Sequence, residues 1–181
     1  VKMIHQLIRD QEGILKGELR IGIIPTLAPY LLPMFLQSFL NKYPEIKIRV
    51  KEMTTDVIIE KLKAGRIDAG LLITPLQDSS ITEYPLFYEE LVAYVSKKNA
   101  AFKKTYVLAE DIDLKELWLL EEGHCFRAQT INLCELKKQI KEQSHFEYEA
   151  GSVETLRKMV EMNNGVTILP ELATLDFTVK Q

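Results

Sequence analysis

Both cysteines of the chain lie in one short segment, and one of them has cationic neighbours. Cys125 is preceded by His124 and followed two residues later by Arg127, whereas Cys134 lies between a leucine and Glu135. Nearby cations favour the thiolate, the reactive form of cysteine, while apolar or anionic neighbours keep a thiol protonated. The residue types therefore predict one reactive sulfur, Cys125, and one resting sulfur, Cys134.

The spacing of the two cysteines predicts that a regular helix would keep them apart. Residues 129–141 have apolar side chains at helical spacing and lysines near the end. If that helix began near Cys125, nine residues would place the sulfurs on opposite faces, roughly 13 Å apart along the axis. A disulfide needs Cα atoms within about 7 Å, so it would form only if the segment partly unwound. That behaviour is typical of a redox switch.

Other interpretations of the cysteines remain open. Inert buried thiols are the commonest state of cysteine in such a domain. A structural disulfide is disfavoured because nothing indicates secretion and 181 residues can bury a core without cross-links. Zinc is disfavoured because the eight-residue gap matches no common ligand spacing and the three histidines are scattered. Nucleophilic catalysis would need His124 and Cys125 to point at each other, which adjacent residues seldom do.

Composition predicts an ordinary globular chain of one domain or two small lobes. The 181 residues are 46% apolar and 27% charged, with a formal net charge of -3. That charge argues against a basic nucleic-acid-binding surface within this part of the chain. No apolar run approaches the roughly 18 residues of a membrane helix, and residues 1–13 contain no apolar signal segment. We therefore expect a cytoplasmic chain without membrane contacts, metal or cofactor.

Strands and helices alternate from Glu18 onward, after an initial stretch typical of the end of a helix. In the first half, the patterns predict strands at 19–24, 46–50 and 67–73, and helices at 26–41 and 57–64. This βαβαβ order predicts a parallel sheet with right-handed crossovers.

Threonines and glycines predict how the two helices of the first half begin and end. Thr26 is a candidate N-cap of the first helix, and Thr54, Thr55 and Asp56 are candidates for the second. Gly65 is a natural C-cap. Proline 33 lies inside the first helical pattern, so that helix should be kinked or begin later.

A polar stretch at 74–83 predicts the crossing into a second lobe. Beyond it, the patterns predict strands at 87–95, 117–120, 146–150 and 166–169, a helical turn at 109–114, and a helix capped by Ser152. Gly123 then places His124 and Cys125 just beyond the carboxyl end of a strand, where open α/β sheets bind ligands.

The cysteine segment and its flanks resemble a known family. The string GHCFRAQTINLC, preceded by LWLLEE and followed by SVETLRKMVEMNNGVTILP, is similar to the OxyR-type hydrogen-peroxide sensors of the LysR-type transcriptional regulators. Both the Gly-His-Cys-x-Arg run and the second cysteine fall at the family spacing, and the resemblance extends over nearly all of residues 17–170. It implies an α/β fold of two Rossmann-like lobes, as in periplasmic binding proteins. The implied parts are 1–16 (end of a linker helix), 17–80 (lobe I), 81–165 (lobe II, with the cysteines) and 166–181 (incomplete return toward lobe I).

The resemblance also implies a role for six residues. Cys125 matches the peroxidatic cysteine, which peroxide converts to a sulfenic acid, and Cys134 matches the resolving cysteine that condenses with it. Four residues match the peroxide-binding pocket: Thr26, Thr55, His124 and Arg127. Ala128 departs from the family, which commonly has an aspartate there. From the residues alone, Thr26 and Thr55 are more simply explained as helix caps.

The function implied by the resemblance is a redox-sensing regulatory domain of a transcriptional activator, not an enzyme. Its implied partners are hydrogen peroxide, promoter DNA through an N-terminal winged helix-turn-helix absent from this sequence, further copies in a dimer or tetramer, and a thiol reductant such as glutaredoxin. One alternative is a LysR-type domain that binds an organic metabolite between the lobes, with incidental cysteines. Another is a thiol peroxidase, against which the linker helix and the two-lobe pattern argue.

Overall fold

The computed structural model describes residues 16–76, 78–108, 111–113, 115–120, 130 and 152–175. The chain divides into two units, Val1–Glu83 and Tyr84–Gln181. The boundary between these units lies at the end of the polar stretch 74–83, in which the sequence pattern placed the crossing. Each unit packs helices on a sheet, as predicted for the α/β class.

The first sheet is parallel and has β1 at its centre. β1 (Gly17–Ile23) pairs with β2 (Ile46–Glu52) on one side and with β3 (Ala69–Leu71) on the other. The last three residues of β1 are buried, as expected for a central strand covered on both faces. The predicted parallel order is confirmed, although the bounds of the strands differ by a few residues.

Helix α1 (Ala28–Lys42) connects β1 to β2 and begins without a threonine cap. Its N-cap is Leu27, whose side chain makes no capping hydrogen bond, so the prediction that Thr26 caps this helix is wrong. Pro29 lies in the first turn, where its missing N–H is not needed. Pro33 lies inside the helix, so the alternative that the helix begins after this proline is wrong as well.

Helix α2 (Thr55–Lys63) approaches the sheet where a glycine leaves room. Ile58 is fully buried. A Cβ atom added to Gly70 would lie 2.5 Å from the Cγ2 atom of Ile58. Only glycine permits this approach, because close-packed atoms do not come so near each other. The C-cap of this helix is Ala64, one residue before the predicted Gly65, which follows in the left-handed conformation (φ +63°) that glycine adopts after a helix end.

The second unit contains an antiparallel pair of strands covered by a helix. β4 (Leu91–Val95) pairs with β5 (Val166–Pro170), and every residue of β5 is buried. Helix α3 (Val153–Met162) contacts both strands and buries three apolar side chains. Ser152 caps it by accepting a hydrogen bond from the backbone N–H of Thr155, as predicted.

One prediction for the second unit is wrong, and another is not tested by the described residues. β4 begins at Leu91, so residues 87–90, which were predicted to start this strand, do not belong to a strand. In the stretch 166–181, β5 is buried along its whole length and pairs with β4, and the return of this stretch toward lobe I stays a prediction. The 3-10 helix that follows β5 (Glu171–Thr174) is also tied to the second unit, since Glu171 N donates to the carbonyl oxygen of Glu90 over 3.0 Å.

Several predicted elements fall outside the described residues. They are the linker helix at 1–15, the strand at 146–150, and the helix at 129–141 apart from Thr130, which is helical and buried. The predicted strand at 117–120 is represented by a parallel bridge between Leu117 and Val166. Within the part of the chain that the structure describes, no helix has the length and apolar character needed to cross a membrane.

Candidate functional site

Two threonines follow the carboxyl ends of neighbouring strands. Ile23 and Glu52 are Cα partners at the ends of β1 and β2, and Thr26 and Thr55 follow them by three residues each. The backbone N–H of Met53 donates to the carbonyl oxygen of Ile23 over 3.0 Å and extends this register by one residue. Ligands of open α/β sheets bind outside the carboxyl ends of the strands. The structure therefore brings both threonines to the edge of the first sheet where a ligand is expected.

The Thr55 hydroxyl is buried and has no hydrogen-bond partner among the described residues. Thr55 is the first residue of α2, and the N-cap before it, Thr54, makes no side-chain capping bond. Of the three predicted N-cap candidates, Thr54 is the N-cap, although its side chain makes no capping hydrogen bond, and Thr55 is not the cap. Leaving a hydroxyl buried and unpaired costs about 1–3 kcal/mol, so the position needs a reason other than helix capping.

Thr26 is buried in the turn between β1 and α1, with 5% of its surface exposed. Backbone hydrogen bonds hold this turn. Ile24 donates from its N–H to the carbonyl oxygen of Leu71 over 3.1 Å and accepts from the N–H groups of Leu27 and Ala28 over 3.0 and 3.1 Å. These hydrogen bonds are all between backbone groups, and the N-cap of α1 is Leu27. Capping therefore does not explain Thr26.

The other four predicted site residues, Cys125, Cys134, His124 and Arg127, lie outside the described residues. The remaining histidines and Ala128 do so as well. Across the described ranges, no three histidine, cysteine, aspartate or glutamate side chains come together as ligands for a metal ion.

The residues that lead into the cysteine segment are bound to β5. Trp118 N donates to the carbonyl oxygen of Val166 and Val166 N donates to that of Glu116, each over 2.8 Å. The hydroxyl of Thr167 donates to the carbonyl oxygen of Trp118, also over 2.8 Å. Three hydrogen bonds therefore hold residues 116 and 118 against β5, shortly before the cysteine segment begins.

The Glu116 carboxylate is held by the side chains of Asn99 and Asn164, and we call these three residues the Glu116 clasp. Asn99 Nδ2 donates to Oε2 of Glu116 over 2.6 Å, and Asn164 Nδ2 donates to Oε1 over 2.9 Å. Asn99 Nδ2 also donates to the carbonyl oxygen of Asn164 over 2.9 Å. Asn99 Oδ1 accepts from Ala101 N over 2.9 Å and caps the 3-10 helix Ala100–Lys103.

The sequence analysis did not single out the Glu116 clasp. Asn99 could have been found as a cap, because it precedes a short apolar run. Glu116 and Asn164 are 48 residues apart, and no pattern in the sequence predicts that they pair.

A half-buried carboxylate two residues before β4 contacts the 3-10 helix that follows β5. Oε1 of Glu89 accepts a hydrogen bond from the backbone N–H of Leu172 over 2.7 Å. Burial raises the pKa of Glu89, and the nearby charge of Glu171 raises it further, while the bond from Leu172 lowers it.

The family of the chain follows from its sequence relatives. Residues 12–178 match the model of the LysR substrate binding domain. The chain is 34% identical over 176 residues to the hydrogen peroxide-inducible genes activator of Haemophilus influenzae, covering 97% of this chain and 58% of that protein. It is 32% identical over 173 residues to the DNA-binding transcriptional dual regulator OxyR of Escherichia coli, covering 96% and 56%. The chain thus spans a little over half the length of these curated relatives.

Solved structures agree with this assignment. The crystal structure of OxyR from Porphyromonas gingivalis matches with a TM-score of 0.81 at 32% identity, over 91% of this chain and 74% of that one. The reduced form of OxyR matches with a TM-score of 0.75 at 30% identity, over 90% and 74%. These likenesses confirm both the predicted two-lobe, periplasmic-binding-protein-like fold and the resemblance to OxyR. The chain belongs to the LysR substrate binding domain family.

Proposed function

We propose that this chain is the redox-sensing regulatory domain of a DNA-binding transcriptional activator that responds to hydrogen peroxide through a disulfide between Cys125 and Cys134. The observation that carries the proposal is the 34% identity over 176 residues with a hydrogen peroxide-inducible genes activator. The likeness to the structure of OxyR, with a TM-score of 0.81, supports it.

The chemistry of the proposal has two steps. The Cys125 thiolate attacks one peroxide oxygen, so that an S–O bond forms, the O–O bond breaks and hydroxide leaves. The Cys134 sulfur then attacks the resulting sulfenic acid, so that an S–S bond forms and the S–O oxygen leaves as water. The two sulfurs supply the two electrons, and the two thiol protons end in the two water molecules produced.

Thr26, Thr55, His124 and Arg127 would prepare the first step. The two cations would favour the thiolate of Cys125, and the two hydroxyls would orient peroxide. The buried, unpartnered hydroxyl of Thr55 supports this role. A hydroxyl both donates and accepts hydrogen bonds, and each oxygen of hydrogen peroxide does the same, so the two groups are matched.

The remaining parts of the proposal concern the whole regulator. It would bind promoter DNA through an N-terminal winged helix-turn-helix, work in the cytoplasm as a dimer or tetramer, and be reset by a thiol reductant such as glutaredoxin. Oxidation would consume one peroxide per cycle, so the protein would act as a sensor and not as an enzyme.

The proposal is tested by counting free thiols and measuring the intact mass before and after addition of one equivalent of hydrogen peroxide. We expect the chain to lose both thiols within seconds, Cys134→Ser to gain one oxygen as a sulfenate, and Cys125→Ser to keep its remaining thiol. Two thiols that persist for minutes in the unmodified chain would overturn the proposal. Sustained peroxide consumption with excess reductant would instead indicate a thiol peroxidase.

A second candidate is a LysR-type domain that binds a small organic molecule. The chain is also 32% identical over 170 residues to the HTH-type transcriptional regulator EstR of Acinetobacter baylyi, a match almost as extensive to a regulator that is not named for peroxide. This candidate predicts that a metabolite raises the melting temperature, equally in the unmodified chain and in both cysteine-to-serine variants. Loss of that rise in the cysteine variants would argue against it.

A further inference from the structure

Asn164 and Gly165 form an Asn-Gly pair in the turn between α3 and β5. Asparagine loses its amide group most readily before glycine, because a residue without a side chain does not hinder attack by its own backbone nitrogen on the preceding side chain. Asn164 is exposed, and the backbone N–H of Gly165 donates no hydrogen bond to a described residue. The turn therefore combines an amide, a nucleophile and access to water, which are what deamidation requires.

The packing of the second unit depends on both residues of this pair. A Cβ atom added to Gly165 would lie 2.6 Å from the Cδ1 and Nε1 atoms of Trp118, so any other residue would force the indole to move. Asn164 Nδ2 donates to Oε1 of Glu116 over 2.9 Å, whereas an aspartate at this position would place a carboxylate against a carboxylate. The contacts of the folded chain thus rely on a dipeptide that is chemically reactive.

The Glu116 clasp holds the two groups that must move for this reaction. Deamidation begins when the Cγ atom of Asn164 rotates onto the backbone nitrogen of Gly165. The amide on that Cγ atom is bonded to the Glu116 carboxylate, and hydrogen bonds to an ionised acceptor are roughly twice as strong as neutral ones. The carbonyl oxygen of Asn164, which belongs to the same peptide group as the attacking nitrogen, accepts from Asn99 Nδ2 over 2.9 Å. Attack therefore requires the clasp to open.

We propose that Asn164 is a site of spontaneous deamidation, which the Glu116 clasp suppresses in the folded chain. The Gly165 nitrogen loses its proton and bonds to Cγ of Asn164, the bond from Cγ to Nδ2 breaks, and the amide nitrogen leaves as ammonia with that proton. Water then opens the cyclic imide and leaves an aspartate or an isoaspartate. The overall change consumes one water and releases one ammonia, so it needs no oxidant and no enzyme. The inference is independent of the peroxide chemistry proposed above.

The product of this reaction would not fit the clasp. A carboxylate at position 164 adds one negative charge to a chain with a formal net charge of -3 and places it against the Glu116 carboxylate. Asn99 Nδ2 donates both to Glu116 and to the carbonyl oxygen of residue 164, and Asn99 is 6% exposed. Repulsion between its two acceptors would separate them and leave this buried donor poorly paired. Deamidation should therefore be an irreversible change that destabilises the second unit.

The test measures deamidation at position 164 by peptide mapping at mildly alkaline pH, in the folded chain and in the chain unfolded by urea. We expect the unfolded chain to react at least about tenfold faster, because opening the clasp costs the folded chain a hydrogen bond to a charged group. Glu116→Leu cannot accept from either amide and should raise the rate of the folded chain about tenfold. Ser152→Ala is the matched control, since it removes the cap of α3 without touching the clasp, and it should change the rate less than about twofold.

Asn164→Asp reproduces one product of the reaction and tests its consequence. This variant should unfold at a lower denaturant concentration than the unmodified chain, because two carboxylates meet in the clasp. Adding Glu116→Gln should restore most of the loss, since the new amide then faces the new carboxylate and its oxygen can still accept from Asn99.

Several outcomes would overturn the inference. They are an Asn164 that keeps its amide in the unfolded chain, a Glu116→Leu chain that reacts at the unmodified rate, and equal acceleration by Ser152→Ala. An Asn164→Asp chain that is as stable as the unmodified one, or that Glu116→Gln does not rescue, would do the same. None of these measurements involves the thiol count that tests the proposed function, so failure of the inference and failure of the proposed function are distinguishable.

Discussion

Ile23 and Glu52 face each other as the last paired residues of β1 and β2, and a threonine follows each of them by three residues. Strands that end in register bring the residues after them to the same edge of a parallel sheet, where ligands bind. Neither Thr26 nor Thr55 caps a helix through its side chain. Capping by these side chains therefore does not explain their positions.

Replacing Thr55 with valine separates a capping role from the proposed role in peroxide binding. Since the buried hydroxyl has no partner among the described residues, Thr55→Val should leave the free energy of unfolding unchanged or raise it by up to about 1–3 kcal/mol. Reaction with peroxide should slow about tenfold, which corresponds to about 1.4 kcal/mol of lost transition-state stabilisation. Denaturant unfolding and stopped-flow thiol oxidation measure the two effects. A stability loss near 1 kcal/mol with an unchanged rate would restore the capping explanation.

Ser152→Ala provides the reference for a true cap. The Ser152 hydroxyl accepts a hydrogen bond from Thr155 N over 3.2 Å at the start of α3. Its removal should lower the free energy of unfolding by about 1 kcal/mol in the same denaturant experiment. If Ser152→Ala and Thr55→Val shifted the midpoint alike, the two residues would have the same role.

Gly165→Ala should disturb the only tryptophan of the chain. The new Cβ would lie 2.6 Å from two indole atoms of Trp118 and 3.4 Å from the carbonyl oxygen of Glu116, so the indole must move. Overpacking of this kind costs about 1–3 kcal/mol. We expect a shifted tryptophan emission maximum in the folded protein together with a lower unfolding midpoint. An unchanged emission spectrum would show that the indole already has room.

Gly65→Ala is the matched glycine substitution in the first unit. An added Cβ meets no atom within 4 Å there, but the left-handed backbone (φ +63°) is strained for alanine. The change should cost about 1–2 kcal/mol and leave the tryptophan emission of the folded protein unchanged. A spectral shift here would mean that emission reports general destabilisation.

Asp78 should make the first unit sensitive to acid. Hydrogen bonds from the side chains of Lys63 and Ser80 lower the pKa of Asp78 from 3.8 to about 2. A carboxylate whose pKa is lower in the folded than in the unfolded state stabilises the fold above its ordinary pKa, and the contribution is lost as pH falls. Between pH 4 and pH 2, Asp78→Asn should therefore lose less stability than the unmodified chain. The difference in acid-induced stability loss between the two proteins should largely disappear when both also carry Lys63→Gln. If that difference persisted, the effect would belong to another group.

Glu89 should have the opposite dependence on pH. Burial is the main cause of its raised pKa, so the ionised form is disfavoured in the folded state and protonation stabilises the fold as pH falls through that raised value. Glu89→Gln removes the charge but keeps an oxygen that can accept from Leu172 N. We expect this variant to be at least as stable as the unmodified chain near pH 7, with the advantage declining toward pH 4 in thermal unfolding. An advantage that grew toward low pH would contradict the assigned direction.

Local patterns were sufficient to predict several elements of this chain. The spacing of apolar residues predicted β1, β2 and α3, Ser152 was identified as a cap, and Gly65 as a terminal glycine. These features depend on residues within a few positions of each other, which is why a sequence alone reveals them. The same is true of the chemistry expected of Cys125 and Cys134, since it depends on the type and spacing of residues in one segment.

Other features were decided only when distant parts of the chain met. β5 pairs with β4 across more than 70 residues, which no local pattern predicted. The Glu116 clasp joins side chains 17 and 48 residues apart, and the burial of the Thr55 hydroxyl depends on the packing around α2. Pairing, burial and the loss of hydrogen-bond partners are properties of surfaces brought together by folding. The sequence by itself determined several local elements and the residue types available for chemistry, and the tertiary structure decided which polar groups of the described residues are buried and which are hydrogen-bonded, because only folding brings distant residues together.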